Sequence, residues 1–429
     1  MASAPPTQVR IRSYNVGFGD CFLLTFTYPR SQRNVLIDFG STKQSKTGPS
    51  GGMLEIAEKI KEDCGGKLQI LVATHRHADH ISGFAGKPGK VIASLKPDLV
   101  VQPWTEDPDL DKDAKAPASS DGGGRLRARA LTTRLSAMQA VAEAVLEQVP
   151  RLEASDAVSN AVANQVRFLG ETNLKNAESV RNLMSMGDQN VYVNFGTKLK
   201  LGALLPGVRV DVLGPPTLEQ SSAISHQADK NEDEFWHLAA RALDVDGAER
   251  SPIFDGAPTS RRSTQEARWV IPQIDKMQAQ EALAIVRALD DALNNTSVIL
   301  LFEIGDTRLL FPGDAQIENW NYALRECDEA DAIRKRLADA RFYKVGHHGS
   351  LNATPKTLWN GFEHRDKKPG PERLATMVST AAEKHGSVKS GTEVPRRVLI
   401  EELTEMSDLR NTQSLKGDEQ FWHDVEFEF

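Results

Sequence analysis

Cysteine is scarce in this chain of 429 residues. Only Cys21, Cys64 and Cys327 occur, and their wide spacing matches neither a disulfide framework nor a thiolate metal site. Isolated thiols are typical of proteins from a reducing compartment. The sequence therefore excludes a small, disulfide-stabilised secreted domain, and we expect a cytoplasmic protein.

Long apolar runs and an excess of positive charge are also missing. No stretch of about 18 apolar residues occurs, and residues 1–12 lack the apolar segment of a secretory signal. We therefore expect no contact with a membrane. The net charge of −7 argues against tight binding along extended duplex DNA, which depends on many Lys and Arg contacts with phosphates. Short or single-stranded nucleic acids remain open as substrates.

What the chain does contain is a dense group of histidines. Three of its ten histidines and one aspartate fall within six residues, as His75, His77, Asp79 and His80. Imidazole and carboxylate groups are ligands for zinc and other first-row divalent ions, whereas closed structural zinc sites usually recruit cysteine. The segment therefore predicts a metal-binding loop with an open coordination position, as catalytic metal sites require.

This loop follows a predicted strand. Residues 68–73 are a short, mostly apolar run typical of a buried strand, and open α/β folds place their chemistry just past such strand ends. In an extended loop, His75 and His77 project in the same direction, whereas Asp79 and His80 can face a second ion. One loop is thus predicted to serve two metal ions.

Further acidic and histidine residues follow other apolar runs. They are Asp38 near the end of a predicted strand at 34–40, Asp314 at the end of a predicted hairpin at 297–314, and His347 and His348 after a predicted strand at 341–345.

Taken together, these segments resemble the metallo-β-lactamase superfamily. The closest resemblance is to the C-terminal domain of bacterial competence DNA-uptake channels and to related stand-alone hydrolases. The matching segments occur in the family's order: NVGFGDCFLL, VLIDFG, THRHADHISGF, SVILLFEIGDTRLLFPGDA and YKVGHHGS. The resemblance implies an α/β fold, namely a four-layer αββα sandwich with helical insertions. It also implies that the metal ions lie at one edge, between the two sheets.

The resemblance further implies two divalent ions, with zinc favoured and manganese or iron as alternatives. By the family's pattern, the metal ligands are His75 and His77 for the first ion, Asp79, His80 and His347 for the second, and Asp314 as a bridge, with His348 as the alternate to His347. Asp79 and Asp314 are also the residues expected to handle protons. Asp38 is expected to orient a ligand without binding the ion itself.

Two further predictions have less support from the sequence: an additional histidine ligand and the residues that contact substrate. Many members carry another metal-binding histidine before the later aspartate, but only His226 and His237 lie in that interval, in polar sequence that favours neither as a ligand. Lys344, Ser350 and Asn352 flank the last motif and are weaker candidates for contact with substrate.

These expectations define a metal-dependent hydrolase. A divalent ion lowers the pKa of a bound water from about 15.7 towards 7 and so provides hydroxide at neutral pH. Because two-metal sites suit phosphoryl displacement, we expect a phosphodiesterase or nuclease that acts on a nucleic acid or nucleotide. Hydrolysis of carboxylic esters, lactones or amides is one alternative. A non-catalytic, metal-bound interaction module is the other.

The chain is longer than the predicted fold requires. We expect one catalytic domain over residues 1–429, with insertions at about 102–187 and 217–294. Apolar residues at helical spacing predict a helix within the first insertion. A partner protein that binds through the insertions remains an open possibility.

Overall fold

The computed structural model describes residues 4–45, 47–108, 176–221, 293–350, 354–381, 393–417 and 420–429. Within these ranges the chain forms two mixed β-sheets and a set of helices, so the protein belongs to the α/β class. No helix in the described ranges is both long and apolar enough to cross a membrane.

The first sheet contains seven strands. They are β1 (Gln8–Tyr14), β2 (Cys21–Tyr28), β3 (Ser31–Phe39), β4 (Ile70–Val72), β5 (Leu99–Pro103), β6 (Gln189–Val193) and β13 (Trp422–Glu428). Their spatial order is β13-β1-β2-β3-β4-β5-β6. Pairing is antiparallel from β13 to β3 and parallel from β3 to β6.

The second sheet contains six strands. They are β7 (Arg209–Gly214), β8 (Ile299–Ile304), β9 (Thr307–Phe311), β10 (Ala340–Lys344), β11 (Ala375–Val378) and β12 (Asp408–Asn411), in the spatial order β12-β11-β10-β9-β8-β7. Strands β7 to β9 pair antiparallel, and strands β9 to β12 pair parallel. The predicted hairpin is confirmed, because Ile304 of β8 lies opposite Thr307 of β9.

The helices of the described residues connect and flank these strands. They are α1 (Gly52–Asp63), α2 (Ala78–Ile81), α3 (Gly86–Ser94), α4 (Ala177–Met186), α5 (Ile317–Asn321), α6 (Ala330–Ala338), α7 (Lys356–Gly361) and α8 (Arg397–Met406).

The two sheets share one apolar core. Side chains alternate between the faces of a strand, so neighbouring Leu23 and Leu24 of β2 enter different apolar clusters. Leu24 belongs to the cluster that contains residues of both sheets. In this cluster the Phe22 ring of the first sheet lies 6.0 Å from the Phe311 ring of the second, with an edge-to-face orientation. The sheets are therefore in direct contact through their inner faces.

Helices cover the opposite face of each sheet. Ile56 and Ile60 of α1 and Ile92 of α3 are buried in the cluster that contains Leu23. On the second sheet, Ile333 of α6 is buried in a third cluster that includes residues of β8 to β11. Helices α1, α3 and α6 thus pack their apolar sides on a sheet, as amphipathic helices do.

The arrangement of parallel strands explains where the polar residues meet. Strands β3 and β4 in the first sheet, and β9, β10 and β11 in the second, end near one another. Two hydrogen bonds join the sheets at this edge. Val298 N, just before β8, donates to Thr74 O after β4 at 2.9 Å. Ser379 Oγ, just after β11, donates to Gly19 O before β2 at 2.5 Å. Ligands in α/β folds bind outside such carboxyl ends.

The predicted insertions fall largely outside the described residues. Only 102–108 and 176–187 of the first, and 217–221 and 293–294 of the second, are described. The helix predicted within the first insertion lies outside the described residues, so it stays a prediction, as does the single-domain organisation.

The contact between the sheets predicts a large effect of substitution at Phe311. We expect Phe311→Ala to lower the free energy of unfolding by about 3–5 kcal/mol, because a buried aromatic ring is replaced by a cavity. Urea unfolding followed by circular dichroism measures this loss. The control is Phe429→Ala, since Phe429 is 45% exposed and its removal should change stability by less than about 0.5 kcal/mol. Equal effects of both substitutions would contradict the shared core.

Candidate metal centre

The histidine-rich loop begins where β4 ends. Ala73 N still donates to Val101 O of the neighbouring strand at 3.0 Å, which extends the sheet pairing by one residue. The chain then turns into the short helix α2, whose first backbone bond runs from His80 N to His77 O at 3.0 Å. This turn places His80 on the inner side of the loop, where its side chain is fully buried.

His75 and His77 lie side by side, as the sequence predicts for an extended loop. His75 Nε2 and His77 Nδ1 are 3.0 Å apart. The His75 ring also lies against the His80 ring, with centroids 4.1 Å apart. His75 therefore contacts both His77 and His80 within the loop.

His80 occupies the centre of the cluster. Its Nδ1 lies 2.7 Å from Asp38 Oδ2, and its Nε2 lies 3.0 Å from Asp314 Oδ2. A histidine whose Nδ1–H donates to a carboxylate presents Nε2 to a metal ion, and this is a common arrangement around metal-binding histidines. Asp38 thus lies on the Nδ1 side of His80, and its role in orienting a ligand stays a prediction.

Asp38 is itself fixed by Thr74. The backbone N–H and the hydroxyl of Thr74 both donate to the Asp38 carboxylate, each at 2.7 Å. Asp38 has a φ of 57°, in the left-handed region that non-glycine residues rarely adopt. Such strain is maintained only where the surrounding contacts impose it.

Of the two adjacent histidines, the structure turns His348 inward. His348 is fully buried, its Nδ1 lies 2.9 Å from Ser379 O, and its Nε2 lies 3.2 Å from Asp79 Oδ2. The side chain of His347 is 24% exposed, and its Nε2 lies 3.9 Å from Asp314 Oδ2. The sequence favoured His347 as a ligand, but the geometry favours the alternate, His348, and leaves His347 at the rim.

The side chains that can share a cation form overlapping groups. Among the described residues, three sets have ligand atoms within 4.8 Å of one another, and all three contain His80: His75–His80–Asp314, Asp79–His80–His348 and Asp20–Asp38–His80. His77 contacts His75 but belongs to none of these sets.

Burial and neighbouring charges set the protonation of this cluster. Burial and the adjacent histidine rings hold the pKa of His75 well below its usual range. Burial would also lower the pKa of His348, but the carboxylates of Asp314 and Asp20 outweigh it and raise that pKa to about 10. For Asp79, the cost of burial is outweighed by the hydrogen bond from His348, and the pKa is lowered. Without a cation, these shifts favour the neutral form of His75, the protonated form of His348 and the charged form of Asp79.

Lys344 lies inside the protein, although the sequence suggested contact with substrate. It is 2% exposed, and its ammonium group contacts Gly313 O, Asp314 Oδ1 and Asp20 Oδ2. Because an ammonium group has three hydrogens, these three acceptors occupy its donors. Lys344 is thus an internal cation of the cluster.

Close backbone approach brings the glycine turn after β1 against the histidine-rich loop. Asp20 N donates to Asp79 O at 2.8 Å, and Gly40 N donates to Asp20 O at 3.1 Å. A Cβ atom on Gly40 would lie 2.5 Å from the carbonyl oxygen of Ala78, too close for any side chain. The glycine at this position is therefore required by packing.

Arg76 anchors the loop on its outer side. Its guanidinium group forms a paired contact with the buried Glu106, with Nε–Oε1 at 2.9 Å and Nη2–Oε2 at 2.7 Å. Asn176 Nδ2 donates to Arg76 O at 2.8 Å. Glu106 and Asn176 belong to the two described ends of the first predicted insertion. Both described parts of that insertion therefore contact the histidine-rich loop.

Sequence reasoning missed two contributors to the cluster. Asp20 was part of a recognised segment but was given no role, and its position directly before an apolar strand was the available signal. Ser379 supplies only a backbone oxygen, which side-chain chemistry does not reveal. The remaining candidates are Ser350, which lies beside the cluster and is largely buried, and His226, His237 and Asn352, which lie outside the described residues.

As a sequence, the chain matches no model of a known protein family and no curated protein. Its function is therefore argued from its residues and their geometry.

The raised pKa of His348 predicts a pH-dependent contribution to stability. Because the folded-state pKa of about 10 lies above the usual 6.5, this contribution is complete below pH 6.5 and is lost as the pH rises towards 10. Urea unfolding of metal-free wild type and His348→Gln at several pH values measures it. We expect the stability difference between the two proteins to shrink from pH 6.5 to pH 9. A difference independent of pH would contradict a protonated His348.

Proposed function

We propose that the chain is a metal-dependent hydrolase with the four-layer αββα fold of the metallo-β-lactamase superfamily. Two sheets packed through their inner faces, each with helices on its outer face, support this fold. The order of the sequence segments along the chain supports it as well. The observation that carries the proposal is the buried convergence of His75, Asp79, His80, Asp314 and His348, which come from three separate loops.

The chemistry of these groups fits a divalent ion. Asp79 Oδ1 is buried and has no hydrogen-bond partner among the described residues, and the buried Nε2 atoms of His80 and His348 face only the carboxylates of Asp314 and Asp79. Buried polar atoms are nearly always partnered, so such atoms facing one another need an explanation. A bound cation provides it, since nitrogen and carboxylate oxygen are the donors that zinc, manganese and iron accept.

When bound, a divalent ion lowers the pKa of water and polarises the oxygen of a phosphoryl or carbonyl group. The protein's own residues would prepare the site for this. Asp38 and Ser379 O fix the rings of His80 and His348 with Nε2 towards the cluster. His347 lies at the boundary between the cluster and solvent, with its side chain 24% exposed.

For the substrate we propose a phosphodiester. This choice is supported by the resemblance to proteins of nucleic-acid uptake and by the suitability of such centres for phosphoryl displacement. The net charge of −7 favours a short or single-stranded substrate over a long duplex.

Hydrolysis by the metal-loaded protein tests the proposal. We expect release of nitrophenol from bis(p-nitrophenyl) phosphate and cleavage of labelled single-stranded DNA or RNA. His80→Ala should lower kcat/KM by more than about 100-fold, beyond the range typical of losing a hydrogen-bond partner of a ligand. His364→Ala is the matched control, since His364 lies in the turn after α7, outside the cluster, and should leave the activity unchanged.

Two outcomes would contradict the proposal. Turnover of p-nitrophenyl acetate but of no phosphodiester would assign the site to carboxylic esters instead. Stoichiometric metal binding without turnover of either substrate would favour a non-catalytic interaction module.

A further inference from the structure

The two oxygens of Asp314 have different surroundings. Oδ2 faces the histidines, at 3.0 Å from His80 Nε2 and 3.5 Å from His348 Nε2. Oδ1 faces the other way, at 3.3 Å from Lys344 Nζ, and it accepts a hydrogen bond from His347 N at 3.1 Å. Oδ2 is thus directed to the histidine cluster, whereas Oδ1 accepts from Lys344 Nζ and His347 N.

Lys344 is held in turn by Asp20. The ammonium group contacts the Asp20 carboxylate, whose side chain is 1% exposed. The other oxygen of Asp20 lies 3.5 Å from His348 Nδ1. Both members of this ion pair are buried, and burial of charges is costly unless they are paired and hydrogen-bonded. The pair therefore lies between Asp314, which Lys344 contacts, and His348, whose ring is held by Ser379 O.

We propose that Lys344, held by Asp20, is a positioning residue of the metal centre. It occupies Oδ1 of Asp314, so that only Oδ2 is presented to the cation, and its positive charge limits the negative charge of the pocket. This inference rests on the proposed metal centre. It assigns a role to Lys344, which offers no ligand atom, and to Asp20, whose Oδ2 is engaged by the Lys344 ammonium group.

The charges of Lys344 and Asp20 predict how the affinity for a divalent ion should change in each variant. Lys344→Met removes a positive charge beside the cation and one of the two donors to Oδ1 of Asp314, so a divalent ion should bind more tightly. Asp20→Asn removes a negative charge, so the ion should bind more weakly. In the double variant the two changes offset each other. If the pair served packing alone, every substitution would loosen the ligands and the double variant would bind most weakly.

Zinc affinity of the full-length chain tests this at pH 8, by competition with a chromophoric chelator. We expect Kd to fall at least about tenfold in Lys344→Met and to rise at least about tenfold in Asp20→Asn, a change of about 1.4 kcal/mol each. The double variant should lie within about threefold of wild type, an interval of about 0.7 kcal/mol. Lys67→Met is the matched control, because Lys67 pairs with Asp98 at the surface.

A second measurement separates positioning from charge. With Co²⁺ as the bound ion, Lys344→Met should change the visible absorption, because Asp314 can then bind through both oxygens. An unchanged spectrum would overturn the positioning role.

The double variant still tests the proposal if one single variant does not fold. If Lys344→Met alone does not fold, the double variant still removes the pair without leaving an unpaired buried charge, and its Kd should return from the Asp20→Asn value to that of wild type. A double variant as weak as Asp20→Asn, or weaker, would overturn the inference. Absence of zinc binding by the wild type would instead overturn the proposed metal centre itself.

Discussion

The contact on which the rest of the site depends is the one that fixes His80 between two carboxylates. Asp38 holds Nδ1 and Asp314 faces Nε2, so the ring joins the first sheet to the second. Every group of described residues that can share a cation includes this histidine. Because His80 is fully buried, its polar atoms have no access to bulk water, and their partners must come from the protein or from a bound ion.

Assembling this cluster requires unfavourable backbone geometry. Asp38, His347 and His348 all have positive φ angles, and Gly40 is packed too tightly for a side chain. Unfavourable backbone geometry of this kind is concentrated at functional sites and is compensated by packing elsewhere. Here the compensation is the shared core between the sheets, which holds the ends of the parallel strands together.

Much of this could be predicted from the sequence, because it depends on local patterns. The hairpin between β8 and β9 follows from two apolar runs around a glycine turn, and the segment after β4 reveals its histidines directly. The choice between His347 and His348 could not be predicted, since it depends on the positive φ angles of both residues and on the carbonyl group of Ser379, just past a distant strand. The inward position of Lys344 was equally hidden, because its partners are remote in sequence and a lysine is usually exposed.

The most direct test of the central claim is the position of a bound ion. Crystals grown with zinc, measured at its absorption edge, locate the ion by anomalous scattering. The account predicts an anomalous peak within about 2.0–2.2 Å of His80 Nε2 and of an oxygen of Asp314. A fully loaded crystal with no peak in the cluster, or with zinc bound only elsewhere, would contradict it.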